Sequence, residues 1–187
     1  MSNEYSIRFI GGILSVASGV LLFFTHLFGL IGSTELITIF SKSIVLFAHL
    51  MMVFVFIAIY ESELVRKGLV TMVGMIFSVF GTMLVSAIVY VEIAGASGVE
   101  MEHVFKAPVA STIFLNGPLM FVFGMILFGI QLIRSDSSSR LAGLLLVLGT
   151  IVFATGSIVI DAEIIFSVIG SALTGSGFVQ LGLMLKR

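Results

Sequence analysis

From Phe9 to Ile31 the chain runs 23 residues without an Asp, Glu, Lys or Arg, and it does this five more times. The other runs are Ser43 to Tyr60, Gly68 to Val91, Val109 to Ile133, Leu141 to Ile160 and Ile164 to Leu185, of 18, 24, 25, 20 and 22 residues. A hydrocarbon core of ~30 Å takes about 20 residues of helix. Inside lipid every backbone N–H and C=O must find a partner within the chain, which helices provide. The expectation is an all-α polytopic membrane protein with six transmembrane helices.

Composition agrees with that reading. Of 187 residues, 59% are hydrophobic and only 10% are charged, against about 25% charged in ordinary soluble domains. Six runs leave no segment for a soluble domain, so residues 1–187 read as one transmembrane domain. The run that follows the polar start "MSNEYSIR" is too long for a signal-peptide core and reads as a retained helix. No basic block suggests nucleic acid, and the absence of cysteine excludes disulfides and thiolate chemistry.

Six spans place both termini on one side. Arg8, Arg66, Lys67, Arg134, Arg140, Lys186 and Arg187 fall there, against Lys42 and Lys106 opposite. Seven against two predicts cytoplasmic termini by the positive-inside rule. Glu35, Glu92, Glu100, Glu102, Asp161 and Glu163 make the opposite side acidic.

The odd-numbered runs share pairs of glycines seven apart: Gly12 and Gly19, Gly74 and Gly81, Gly149 and Gly156. Such pairs lie on nearly one helix face, and small residues let membrane helices approach closely. These are expected to be helix-packing positions. Glycine stripes serve contacts within a chain or between chains, so a membrane-protein partner or a homo-oligomer stays open. Among even runs, Gly117 and Gly124 match Gly170 and Gly177 at an offset of 53, while "FAHLMMVFVF" matches "FLNGPLMFVF" at 67. The matches predict three repeated helical hairpins, about 1–64, 65–135 and 136–187. At the 67 offset His49 falls opposite Asn116.

Polar groups at membrane depth usually face the interior and find partners. His49 lies seven residues below Lys42, about 10 Å at 1.5 Å per residue, and His26 sits near the same end of its own run. His49, Asn116 and His26 are therefore the expected ligand-binding residues. Asn116 also opens "NGP", where Pro118 removes a donor and opposes the Phe114 carbonyl. A proline kink absorbed by packing is the leading expectation there; the alternative is a broken helix, with a short separate segment before it, that exposes a polar pocket lined by Asn116 and His49. Two histidines on neighbouring helices could instead ligate one b-type haem. In the loop "EMEH", Glu100, Glu102 and His103 are candidate metal ligands, although their spacing matches no defined motif. No HExxH and no GxSxG occurs, and no catalytic residue is assigned.

Three readings of function follow. The leading one is a non-enzymatic small-molecule or lipid-binding, transport-accessory or assembly subunit. The second is a haem-binding electron-transfer subunit using His26 and His49. The third is a membrane enzyme acting on lipid near the outer face. The stretches "RFIGGILSVASGVLLFF" and "FGIQLIRSDSSSRLAGLLLVLGTIVFATG" resemble a loose group of small six-helix prokaryotic integral membrane proteins. That resemblance implies the prokaryotic cytoplasmic membrane and implies no catalytic residues.

Overall fold

A computed structural model describes residues 2–30, 34–135, 138–159 and 162–186, with side chains from Ile7 onward. Asp161 and Arg187, which entered the charge argument, lie outside the described residues. The described residues are mostly helical and include no strand. The elements are α1 (Ser2–Phe28), α2 (Glu35–Glu61), α3 (Leu69–Ala96), α4 (Glu102–Lys106), α5 (Pro108–Arg134), α6 (Arg140–Gly156) and α7 (Glu163–Leu185).

Five helices, α1, α2, α3, α5 and α7, are long and apolar enough to cross a membrane. The chain is therefore of the membrane-embedded class. The fifth uncharged run forms a shorter helix, the 17 residues of α6, because the chain turns at Ser157 after Gly156.

Helix starts follow local chemistry. The Thr34 hydroxyl accepts from the Ile37 N–H at 3.4 Å, and Glu35 stands in the first turn of α2, where the helix dipole favours an acid. Pro108 occupies the first turn of α5, where its missing N–H costs nothing. Of the two readings of "NGP", the break does not occur and the proline is absorbed within one helix. α5 continues through Pro118 to Arg134, so no separate segment precedes Asn116. Neighbouring packing holds the helix there, with buried Gly117 lying against Leu84 and Ile88 of α3.

The six longer helices form a closed ring of neighbours. α1 packs on α2, α2 on α3, α3 on α5, α5 on α6, α6 on α7, and α7 returns to α1. The closest crossings are built on glycine. On α1 and α7, a Cβ at Gly12 would lie 2.8 Å from the Gly182 carbonyl oxygen, and one at Gly19 would lie 2.5 Å from that of Gly175. Between these contacts the Ser15 hydroxyl donates across to the Phe178 carbonyl at 2.6 Å. On α3 and α5, Gly74 and Gly81 meet the backbones of Phe128 and Phe121. On α6 and α7, Gly149 meets Thr174 and Gly170, and Gly156 meets Phe166.

The interior is apolar toward the basic end of the ring. Phe56 of α2 is fully buried, with ring centroids 6.4, 5.8 and 6.0 Å from Phe121, Phe128 and Phe178. Met52, Ile59, Leu132, Leu146 and Leu181 complete the core around it, all fully buried. The connection from α2 to α3 closes this end. Val65 is buried, the Ser139 hydroxyl donates to the Leu64 carbonyl at 3.2 Å, and the Arg66 N–H donates to the Ser135 hydroxyl at 2.6 Å. Arg8 of α1 donates to the Glu61 carbonyl at 3.0 Å.

Equivalent positions of the aligned stretches do not share a facing. His49 is 7% exposed, whereas Asn116 is exposed and Ile169, at the matching place in α7, is 49% exposed. One residue on, the pattern inverts: Leu50 is 44% exposed, while Gly117 and Gly170 are buried. Phe56 is at the centre and its counterpart Phe123 is 48% exposed. One residue step is about 100° around a helix. α2 is thus turned about its axis relative to α5 and α7. The cause lies in the glycines: α5 and α7 turn Gly117, Gly124, Gly170 and Gly177 toward a neighbour, and α2 has Leu50 and Ile57 there.

Candidate functional site: the polar half of the ring interior

One face of α2 carries the chemistry. Lys42, His49 and Phe56 recur seven apart and so share a helix face. Along it the environment changes from charged, to polar, to aromatic. At the acidic end Lys42 donates to Glu92 of α3 at 2.7 Å, each side chain 33% exposed. Two turns further in, His49 is buried against Phe121 of α5, ring centroids 5.5 Å apart. A further two turns reach Phe56 and its aromatic cage.

The tautomer of His49 follows from its partner. Its Nδ1 lies 2.9 Å from the Val45 carbonyl oxygen, one turn back in the same helix. A carbonyl can only accept, so Nδ1 carries the proton and Nε2 is left as a bare acceptor. His26 of α1 repeats the arrangement, with Nδ1 2.8 Å from the Leu22 carbonyl oxygen. Its ring meets Phe153 of α6 edge-on at 5.0 Å and an interplanar angle of 87°.

Hydroxyls surround this half. Thr82 of α3 donates to the His49 carbonyl at 3.4 Å, and Ser86 donates to Thr82 at 2.8 Å. Thr25, next to His26 in sequence, donates to the Leu21 carbonyl at 2.8 Å. Ser86 and Thr25 satisfy themselves through the carbonyl one turn back, the usual solution where water is absent, while Thr82 reaches across to α2.

Asn116 does not join them. It is exposed, and its side-chain amide donates to the Thr112 carbonyl at 2.9 Å on the outer surface of α5. The expectation of an interior His49–Asn116 pair is corrected on this point. Turning Gly117 toward α3 leaves its neighbour Asn116 directed away.

The loop candidates also stay apart from the interior. Glu102 is engaged by Lys106, and His103 lies 3.9 Å from Glu100, all of them on exposed side chains. Among the described residues, no three His, Cys, Asp or Glu side chains converge as a metal site. A haem between His26 and His49 has the right residue types; Phe153 lies beside the His26 ring and Phe121 beside that of His49.

Phe56 as the hub and the Lys42–Glu92 bridge were not among the residues expected from sequence. The seven-residue spacing of Lys42, His49 and Phe56 was the available signal. A further feature had no signal at all: a cleft of about 400 Å³ between α1 and α7, lined by Gly19, Val20, Phe24, Gly175, Ser176 and Leu183 among others.

No family model matches this chain, and no curated protein or solved structure is significantly similar to it.

Proposed function

We propose that this chain is a six-span protein of the prokaryotic cytoplasmic membrane, with both termini cytoplasmic, and that its role is to bind a small molecule rather than to catalyse. α6 supplies the sixth span. Its 17 residues reach about 25 Å, and it packs between α5 and α7, which are both long enough to cross. Three hairpins of one ancestry, α1/α2, α3/α5 and α6/α7, fit the ring, since each pair packs together.

The carrying observation is the bare Nε2 of buried His49. A ligand that donates a hydrogen bond, such as an amine or hydroxyl, has an acceptor waiting there and aromatic walls for its apolar part. Such pockets, apolar with a few placed polar groups, are the usual form of small-molecule sites. The ring widens in polarity toward the acidic end and is closed by Phe56 and Val65 toward the basic end. Access is therefore from the extracytoplasmic side, past Lys42 and Glu92. A transport-accessory or sensing role suits a site closed on the cytoplasmic side.

Native mass spectrometry of protein taken from its own membrane tests the reading. The wild type is expected to carry a small adduct that His49→Ala loses while keeping its fold. Identical spectra from both would end the proposal. A Soret band lost with His49→Ala would instead establish haem.

A further inference from the structure

The outer side of α5 carries a polar group where lipid would lie. Gly117 and Gly124 turn toward α3, and Gly129 turns toward α6. The remaining side points out of the ring. Thr112, Asn116, Leu119 and Phe123 follow one another at intervals of four, three and four, so they form one stripe on that side. All four are exposed, Leu119 at 59% and Phe123 at 48%. α4 leaves the stripe clear, because its Phe105 packs on Phe114, which is turned about 200° around the helix from Asn116.

Depth makes Asn116 costly there. α5 has 27 residues and extends about 40 Å at 1.5 Å per residue. Its central residue is Phe121, and Asn116 lies about 8 Å from it along the axis, well inside a ~30 Å hydrocarbon core. One N–H of the Asn116 amide donates to the Thr112 carbonyl at 2.9 Å. The second N–H and the Oδ1 find no partner among the described residues, and lipid tails offer none. Gln131, the other carboxamide of α5, is buried, the usual facing for a polar residue in a membrane helix.

The two open groups are a donor and an acceptor on one carboxamide, so a second identical carboxamide satisfies both. A two-fold axis along the membrane normal sets α5 beside the α5 of a second copy, with equal positions opposite each other. Each Asn116 then donates its free N–H to the Oδ1 of the other. The stripe around it has the four-three spacing of a helix seam, in which a single asparagine fixes register and the number of strands. Hydrogen bonds between polar side chains of this kind join membrane helices. We infer that the protein pairs with a second copy of itself through this face of α5, with Asn116 against Asn116. The contact is separate from the His49 interior and does not depend on that proposal.

The chain has no cysteine, so one introduced thiol per subunit reports the contact. Leu119→Cys lies on the stripe. Phe47→Cys, on the outer side of α2, is the control, since Phe47 is 58% exposed. In native membranes treated with copper phenanthroline, Leu119→Cys is expected to form a disulfide-linked dimer about tenfold faster than Phe47→Cys, following the paired population. Adding Asn116→Leu, which removes the carboxamide and returns the face to lipid, should abolish that advantage, and Asn116→Gln should keep most of it. Single-molecule counting of subunits in liposomes tests the chain without any thiol. The wild type is expected to stay paired at about tenfold higher lipid-to-protein ratio than Asn116→Leu, a difference of ~1.4 kcal/mol. Equal cross-linking at both thiols overturns the inference, and so does a rate that Asn116→Leu leaves unchanged. A wild type that is single at every ratio also overturns it, and gives the Asn116 face to lipid or to a different protein.

Discussion

Gly19 of α1 and Gly175 of α7 lie backbone against backbone, so that a Cβ on Gly19 would stand 2.5 Å from the Gly175 carbonyl oxygen. Neither helix can yield without moving the Ser15–Phe178 hydrogen bond beside it. Gly19→Val is therefore expected to lower stability by about 1–3 kcal/mol, the usual cost of overpacking. Unfolding in mild detergent by a graded denaturant measures it. Gly68→Ala is the comparison: no neighbour lies within 4 Å of its would-be Cβ, its φ of 170° is ordinary extended backbone, and stability should hardly move.

Phe56 touches three aromatic rings from two other helices. Phe56→Ala leaves a cavity at the centre of the ring and should cost about 3–5 kcal/mol. Phe54, two residues away, is 60% exposed, and Phe54→Ala should stay within about 0.5 kcal/mol. Equal losses at both sites in the same denaturation assay would place Phe56 wrongly.

Lys42 and Glu92 join α2 to α3 at a point where both side chains are one-third exposed. A double-mutant cycle with Lys42→Met and Glu92→Gln should give a coupling of about 0.5–1 kcal/mol, in the upper part of the range for accessible pairs. The coupling should shrink at high salt. Additive single effects would show that the contact contributes nothing.

The absence of cysteine makes sidedness directly readable. Glu100→Cys and Glu163→Cys should react with a membrane-impermeant maleimide on intact cells. Glu63→Cys and Ser138→Cys should react only after permeabilisation. The Ser138 and Glu163 pair decides the count of spans, because they flank α6. If both label from one side, α6 does not cross.

His49 and Asn116 should also differ in the same assay. A thiol at His49 is inside the ring, so a small charged thiosulfonate should reach it only from the Glu92 side and faster than it reaches Met52→Cys. Protection of His49→Cys by a bound ligand would tie accessibility to the site. At Asn116, on the outer face of α5, a cysteine should be slow to react from either aqueous side because lipid covers it.

Much of the fold was legible in uncharged length alone. A run of 20 apolar residues has one way to satisfy its backbone in lipid, so the helices follow from solvation, whatever the side chains. The paired glycines were legible for a similar reason. Gly12, Gly19, Gly74, Gly81 and Gly149 each sit where a Cβ would meet the backbone of another helix, with no substitute available to bulkier residues. The site was legible only in part. His49 is inside, as polar residues at depth tend to be, but the alignment that paired it with Asn116 carried no information about rotation. At Pro118 the alternative of a broken helix gives way to the proline absorbed by packing, because contact with α3 keeps α5 continuous.

Residue type and spacing alone place these helices in a membrane, mark where they run, and show which residues are small enough to let them touch. Those properties depend on residue type and spacing, and each can be read along one segment. The tertiary structure decided which face every helix turns inward. That choice separates His49 from Asn116 and Phe56 from Phe123. It depends on a rotation of about 100° per residue, and neighbours settle it: glycines pull α5 and α7 one way, while Leu50 and Ile57 leave α2 free to present Lys42, His49 and Phe56 to the interior.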